Sequence, residues 1–313
     1  FMHLARAGVL RRRAWDELAL EREAAAGRPP GTGGHYLRGA FFLGSRELYA
    51  WLHDTVRADP AAIDMCRVSN VNHLYGDHQA LAALQRRGAR FYNTCMIATV
   101  LGEAASDGLE DGRVVSGVGG QYNFVAMAHE LADGRLVLML RATRRERGRL
   151  VSNIRWNYGY CTIPRHLRDV YVTEYGVADL RGKSDRACVE AMLAISDARF
   201  LDELAGQAKA QGKLPADFRI PEAWRRNTPA HLHRALAPLQ DRGLLPDFPF
   251  GSDFTETERR LLPALAWLKA HSASRAGKLA LLRAALAPGR AGTDEGEALA
   301  RMGLASPRGL PAR

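Results

Sequence analysis

Ser116-Gly-Val-Gly-Gly-Gln-Tyr-Asn-Phe124 joins two patterns that predict different secondary structures. The β-branched pair before it favours a short strand at 113–116, and the apolar run after it, 124–129, favours a helix. A strand, a glycine turn and a helix together present backbone N–H groups to an anion or a developing oxyanion. Glycine suits such a turn because it adopts positive φ and allows close approach to the backbone. A tight turn that binds nothing has the same local pattern, so both interpretations stay open.

Residues 36–221 alternate between short apolar runs and helical patterns on both sides of this turn. The predicted strands are 41–43, 90–93, 113–116, 136–140 and 170–173, and the predicted helices are 45–57, 78–87, 184–195 and 197–210. Ser184 is expected to cap the helix that follows it, with Asp185 in the first turn. The alternation predicts an α/β fold with a mostly parallel sheet flanked by helices.

The flanking segments have different compositions. Residues 3–26 have a helical pattern, and a Gly- and Pro-rich linker completes an N-terminal segment over 1–35. Residues 222–287 predict a helical extension in which Thr255-x-x-Glu258 is a capping box. Pro263 should kink that helix or delay its start. The Gly-, Pro- and Ala-rich residues 288–313 predict a disordered tail.

Composition narrows the function classes. No apolar run approaches the ~18 residues needed to span a bilayer, so we expect no membrane partner. The four cysteines form no C-x-x-C pair, which indicates reduced thiols in a cytoplasmic protein and no metal site. The net charge of +10 suits nucleic acid, anionic lipid or a polyphosphorylated cofactor, although a proteome-wide arginine bias would look the same. We expect no nucleic-acid partner, because neither a recognition helix nor interleaved aromatic and basic residues is evident.

A second segment, Thr173-Glu-Tyr-Gly-Val-Ala-Asp-Leu-Arg-Gly-Lys-Ser184, is the longest motif of the chain. From its residues alone, Asp179, Arg181 and Lys183 predict an ion-pair network at a strand–loop–helix corner. Together with the glycine turn, the segment resembles the C-terminal domain of the acetyl-CoA hydrolase/CoA-transferase family. Members of that family read like S-G-x-G-G-Q-x-D-F and V-T-E-Y-G-x-A-D-L-R-G-K-S in the two places. The family does not use the Glu of the second motif as its nucleophile, so Glu174 is not assigned that role.

The resemblance implies a site for CoA or acyl-CoA, with no metal. It implies that the turn closes over the thioester, and that Gly120 and the side-chain amide of Asn93 stabilise the oxyanion. Asn93 falls where the family has a motif like I-N-x-A, but a strand-end turn residue is an alternative reading. Asn123 replaces the family's Asp. The residues expected to bind CoA are Gly117, Gly119, Gly120, Gln121, Asn123, Phe124 and Arg144.

The family's nucleophile, a Glu that forms a glutamyl-CoA thioester, precedes a helix like Leu4-Ala-Arg-Ala-Gly-Val-Leu-Arg-Arg12. We therefore expect that Glu upstream of Phe1, and expect this chain to hold part of the pocket without the chemistry. The partners so implied are an acyl-CoA, a carboxylate, the N-terminal half of the same enzyme and a second copy in a homodimer.

Two stretches depart from the family. The segment 96–103 lacks the family's E-x-D-L-x-G-Q, and the arginine-rich segment 141–149 stands where members carry S-T-A. The arginines suit contact with CoA phosphates, and a solvated loop is the alternative. These departures motivate a different function, a non-catalytic basic binding or regulatory module that keeps the fold.

Overall fold

The computed structural model of the protein describes residues 1–40, 42–73, 78–286 and 293–305. The chain divides into two compact units. The first comprises Phe1–Leu43 and Trp51–Pro246, and the second comprises Gly44–Ala50 and Asp247–Arg313. The boundaries expected near residues 35, 221 and 287 stay predictions.

Helices and strands alternate through most of the first unit. The helices are α1 (Met2–Arg6), α2 (Leu18–Ala25), α3 (Arg46–Ala58), α4 (Val68–Asn72), α5 (Gln79–Gln85), α6 (Gln121–Glu130), α7 (Asp185–Ala194), α8 (Leu201–Ala210), α9 (Pro229–Asp241), α10 (Glu256–Ser272), α11 (Arg275–Leu286) and α12 (Thr293–Arg301). The strands are β1 (Leu37–Gly39), β2 (Ile63–Met65), β3 (Arg90–Thr94), β4 (Ile97–Thr99), β5 (Ala104–Ala105), β6 (Arg135–Met139), β7 (Thr143–Glu146), β8 (Arg149–Ser152), β9 (Ile154–Arg155), β10 (Val170–Thr173) and β11 (Gly176–Asp179).

The main sheet has the strand order β11-β10-β6-β3. Strands β3, β6 and β10 are parallel, and β11 returns antiparallel to β10 as a hairpin. This arrangement confirms the predicted α/β class with parallel strands. Smaller sheets accompany it: the parallel pair β1-β2, the three strands β5-β4-β9, and the hairpin β7-β8.

The core of the first unit follows the alternation of side chains along the strands. On β6, Leu136 and Leu138 are buried on one face of the sheet, where α6 and α7 supply Val125 and Met192. Tyr171 of β10 is fully buried, and its hydroxyl donates to a backbone carbonyl 3.0 Å away. The sheet and its helices therefore form a well-packed platform whose strand ends can carry a site.

Three secondary-structure predictions are wrong. The helix expected at 3–26 is two short helices, because Gly8 adopts a φ of +66° and ends α1. The strand expected at 41–43 lies earlier, at Leu37–Gly39; residue 41 itself falls outside the described residues. The strand expected at 113–116 is a single bridge between Gly108 and Val114.

Another correction concerns the arginine-rich segment. Residues 143–152 form an antiparallel hairpin rather than a loop. The chain reverses at Arg147 and Gly148, whose φ angles of 48° and 81° lie in the left-handed region that short hairpin turns use.

The second unit contains the helices α10, α11 and α12. The capping box at Thr255 and Glu258 is present, and α10 runs on through Pro263, so the helix does not start later. The disordered tail expected at 288–313 is wrong for 293–301, which form α12. The remainder of that tail, apart from 302–305, lies outside the described residues.

Candidate active site

The first component of the candidate site is the carboxyl end of β3. Side chains alternate along this edge strand, so Phe91 and Asn93 share a face and Tyr92 points the other way. The register places Asn93 beside Leu138 of β6. Asn93 is half-buried at the point where the strand ends. A side-chain amide in that position can donate a hydrogen bond to a ligand lying at the edge of the sheet.

The glycine turn is the second component. Gly119 has a φ of +62°, and a Cβ added at Gly117 or Gly119 would meet no atom within 4 Å. The turn is exposed at both positions, and α6 begins at Gln121 without a side chain capping its N-terminus. The backbone N–H groups at the start of α6 are therefore not satisfied by a side-chain cap.

Gln121 connects these two components. Its Nε2 atom donates to the carbonyl oxygen of Thr94 at 2.9 Å, and its side chain is only 7% exposed. One turn along α6, the ring of Phe124 packs against that of Phe91, with centroids 6.0 Å apart. These contacts bring the start of α6 to the end of β3, one residue beyond Asn93.

Asp107 anchors the loop that leads into the turn. Its carboxylate accepts hydrogen bonds from the Tyr160 hydroxyl at 2.8 Å and the Thr162 hydroxyl at 2.5 Å, and it is 3% exposed. Its backbone carbonyl accepts from the N–H groups of Val115 and Ser116. The hydrogen bond to Asp107 raises the pKa of Tyr160, so this hydroxyl stays a donor at neutral pH. No sequence pattern marked Asp107, because the partners of its side chain lie more than fifty residues away.

Asn72, at the end of α4, was also missed. A Cβ added at Gly120 would lie 2.9 Å from the Asn72 Nδ2 atom. The Asn72 Oδ1 atom is buried and has no hydrogen-bond partner among the described residues. An unpartnered buried carbonyl oxygen is costly, which makes this atom a candidate acceptor for a ligand beside the turn. No sequence motif marked it.

Two other residues predicted to bind CoA, Asn123 and Arg144, lie in different elements. Asn123 lies half-buried in the first turn of α6. The Arg144 guanidinium donates to Asn153 Oδ1 at 2.6 Å and to Glu146 Oε2 at 2.8 Å, both close to it in sequence. Its observed contacts thus lie around the β7-β8 hairpin, and its contact with CoA phosphates stays a prediction.

The segment 173–184 forms a structural corner, and its network differs from the predicted one. Asp179 pairs with Arg135, at 2.8 Å, and Arg181 pairs with Asp169, at 2.9 Å. Asp169 is fully buried and also accepts from Arg135, which makes it the centre of the network. The backbone carbonyl of Lys183 accepts from Arg168, which is not one of the arginines that contact Asp169.

Two further residues of this corner, Ser184 and Glu174, make structural contacts. Ser184 caps α7 as predicted, by accepting from the Ala187 N–H. Glu174 accepts from the backbone N–H of Ala142 at 2.8 Å, which is a structural contact.

One cluster among the described residues has the spacing of a metal site. Single ligand atoms of Asp16, His35 and Asp64 lie within 4.8 Å of one another. Arg38 donates to both carboxylates, at 2.6 Å in the case of Asp64. Burial and then the Arg38 charge lower the pKa of His35. Both carboxylates thus already accept from the one Arg38 guanidinium, and we assign no metal to them.

None of the helices in the described part of the chain is long and apolar enough to cross a bilayer.

Comparison with known proteins identifies relatives for about half of the chain. Residues 44–208 match the acetyl-CoA hydrolase/transferase C-terminal domain. A probable butyrate:acetyl-CoA coenzyme A-transferase from Syntrophomonas wolfei is 27% identical over 173 residues, covering 54% of this chain and 36% of that protein. A butyryl-CoA:acetate CoA-transferase from Anaerostipes caccae is 29% identical over 181 residues, covering 55% and 37%.

A solved structure is also similar to this chain. The crystal structure of RipA from Yersinia pestis aligns with a TM-score of 0.51 at 26% identity, over 68% of this chain and 42% of that one. The chain spans about a third of the length of the curated relatives it matches.

Proposed function

This chain belongs to the acetyl-CoA hydrolase/transferase family, and we propose that it is the C-terminal portion of an enzyme that moves CoA between an acyl-CoA and a carboxylate or water. The observation that carries this proposal is the hydrogen bond from Gln121 to the Thr94 carbonyl. It holds the glycine turn beside Asn93, so that a backbone donor and a side-chain amide can reach one thioester carbonyl.

We assign the residues as follows. The Asn93 amide and the Gly120 N–H donate to the thioester oxygen as negative charge develops on it. Gly117 and Gly119 leave the approach to the turn open. Gln121 and Phe124 position the turn through their contacts with β3.

In this proposal, the nucleophile belongs to a part of the enzyme outside these 313 residues. A carboxylate there attacks the thioester carbonyl, which passes its negative charge to the oxygen held by Asn93 and Gly120. The CoA thiolate leaves from that carbon, and its attack on the resulting acyl–enzyme anhydride releases the acid and joins CoA to the enzyme carboxylate. In transfer, a second carboxylate accepts CoA from this thioester by the reverse steps. In hydrolysis, water cleaves the bond between the enzyme carboxylate and its bound group. The support for a missing portion is the length of the relatives, of which this chain covers 36% and 37%.

Isothermal titration of the 313-residue chain with acetyl-CoA and with CoA tests this proposal. We expect both to bind, and expect Asn93→Ala to weaken acetyl-CoA binding by up to about tenfold, the upper end for the loss of one hydrogen bond between neutral groups. CoA binding should change little, because CoA lacks the thioester carbonyl. Asn157→Ala, at an exposed asparagine that is not among the residues assigned to the site, is the matched control.

Equal acetyl-CoA affinity in Asn93→Ala and Asn157→Ala would show that Asn93 does not contact the thioester. A well-folded chain that binds neither ligand would favour the non-catalytic basic module instead. In the longer enzyme, Asn93→Ala should lower kcat by about 10²–10³, the usual effect of losing one oxyanion donor.

A further inference from the structure

A cleft of about 680 Å³ lies against the N-terminal segment of the first unit. Its walls come mainly from residues 11–33, and Asp59 and Arg87 complete them. Small-molecule sites usually have volumes of about 300–1,000 Å³, so the cleft can hold a ligand of that class. Four arginines and two acids line it, which leaves a net positive charge of two.

Two of the arginines are neutralised by the acids. Arg12 donates to Glu21 at 3.1 Å, and Glu21 is itself almost completely buried. Arg13 pairs with Asp59 and donates to the Gly34 carbonyl at 2.8 Å. The contact between Arg13 and Asp59, together with a hydrogen bond from Arg12 to the Leu84 carbonyl at 2.8 Å, ties the 11–33 segment to the rest of the first unit.

The other two arginines of the cleft, Arg11 and Arg87, are exposed there without a carboxylate partner among the described residues. Arg11 donates through Nε to the Gly8 carbonyl, which leaves its charge uncompensated. A guanidinium stays ionised at every physiological pH, and its planar fork matches the oxygens of phosphate. We propose that this cleft binds a phosphate group of a small ligand through Arg11 and Arg87.

This site goes beyond the proposed acyl-transfer site. Most of its wall, residues 11–33, lies outside the residues 44–208 that match the family. None of the residues assigned to the thioester lines it. The phosphate can come from the nucleotide end of CoA or from a free phosphate compound, since the two present the same chemistry to the arginines.

Titration of the whole chain with pyrophosphate, at constant ionic strength, tests the proposal by calorimetry and by the shift in Tm. We expect pyrophosphate to bind and to raise Tm. Arg11→Gln and Arg87→Gln should each weaken binding about tenfold, through the loss of one charge-assisted contact. Arg28→Gln is the matched control, because Arg28 is exposed on the same segment, loses the same charge and does not line the cleft.

Binding that is unchanged in Arg28→Gln and weakened in the other two variants supports the site. Absence of pyrophosphate binding by the wild-type chain, or equal weakening in all three variants, overturns it. Competition by CoA but not by pantetheine identifies CoA as the source, and competition by neither identifies a free phosphate compound. Asn93→Ala should leave pyrophosphate binding intact, so the failure of this proposal and the failure of the acyl-transfer proposal are distinguishable.

Discussion

Replacing Asp169 by alanine should destabilise the protein severely. The Asp169 carboxylate is fully buried and accepts hydrogen bonds from Arg135 at 2.9 Å and from the Leu136 N–H at 2.7 Å. Arg181 lies 2.9 Å from its second oxygen. Breaking a buried ion pair by removing one partner costs about 3–5 kcal/mol, because the other charge stays uncompensated. Both arginines are about 30% exposed, so we expect the lower end, about 3 kcal/mol.

Asp179→Ala is the matched control. Asp179 pairs with the same Arg135 at 2.8 Å, but its side chain is 51% exposed. An exposed pair contributes about 0–1 kcal/mol, so the two variants should differ by at least about 2 kcal/mol. Urea unfolding measures this difference as a shift in midpoint at constant slope. A loss below about 1 kcal/mol for Asp169→Ala, or equal losses for both variants, would refute the role of Asp169 as the centre of the corner.

Two further predictions follow from the geometry. Gly120→Ala should lower stability by about 1–3 kcal/mol and weaken acetyl-CoA binding, because its Cβ would lie 2.9 Å from the Asn72 amide. Gly117→Ala, which meets no atom, should change neither property, and equal effects in urea unfolding and calorimetry would contradict this reasoning. A hydrogen bond from Lys213 lowers the pKa of Asp185, so its stabilisation is complete above about pH 4 and is lost as the pH falls through the lowered pKa. Lys213→Met should therefore make Tm fall less between pH 6 and pH 3, and an unchanged fall would exclude this pair as a source of acid sensitivity.

Local patterns predict the sheet and the glycine turn well. The β-branched and aromatic run at Val170–Thr173 forms a strand, and so does the apolar run at 136–139. Ser184 caps its helix, because a cap depends only on the next three residues. These features are set by neighbours in the chain, which makes them readable from the sequence.

The sequence does not predict the contacts between distant segments that build the candidate site and the corner. The bond from Gln121 to Thr94 spans 27 residues, and Asp107 meets Tyr160 across 53 residues. The helical pattern at 3–26 was misleading because a single residue, Gly8 at positive φ, ends the first helix. The centre of the corner, Asp169, precedes the 173–184 segment and is recognisable only from its burial beside two arginines.

Photo-crosslinking with an acyl-CoA analogue tests whether Asn93 and the glycine turn form the thioester site. A diazirine in the acyl chain would place the reactive carbon beside the thioester, and peptide mass spectrometry would locate the label. We expect label within 90–94 and 117–124, removed by excess acetyl-CoA, since Gln121 holds these two segments together. Label confined to the 143–152 hairpin, or label that acetyl-CoA does not displace, would contradict a thioester site built from Asn93 and the glycine turn.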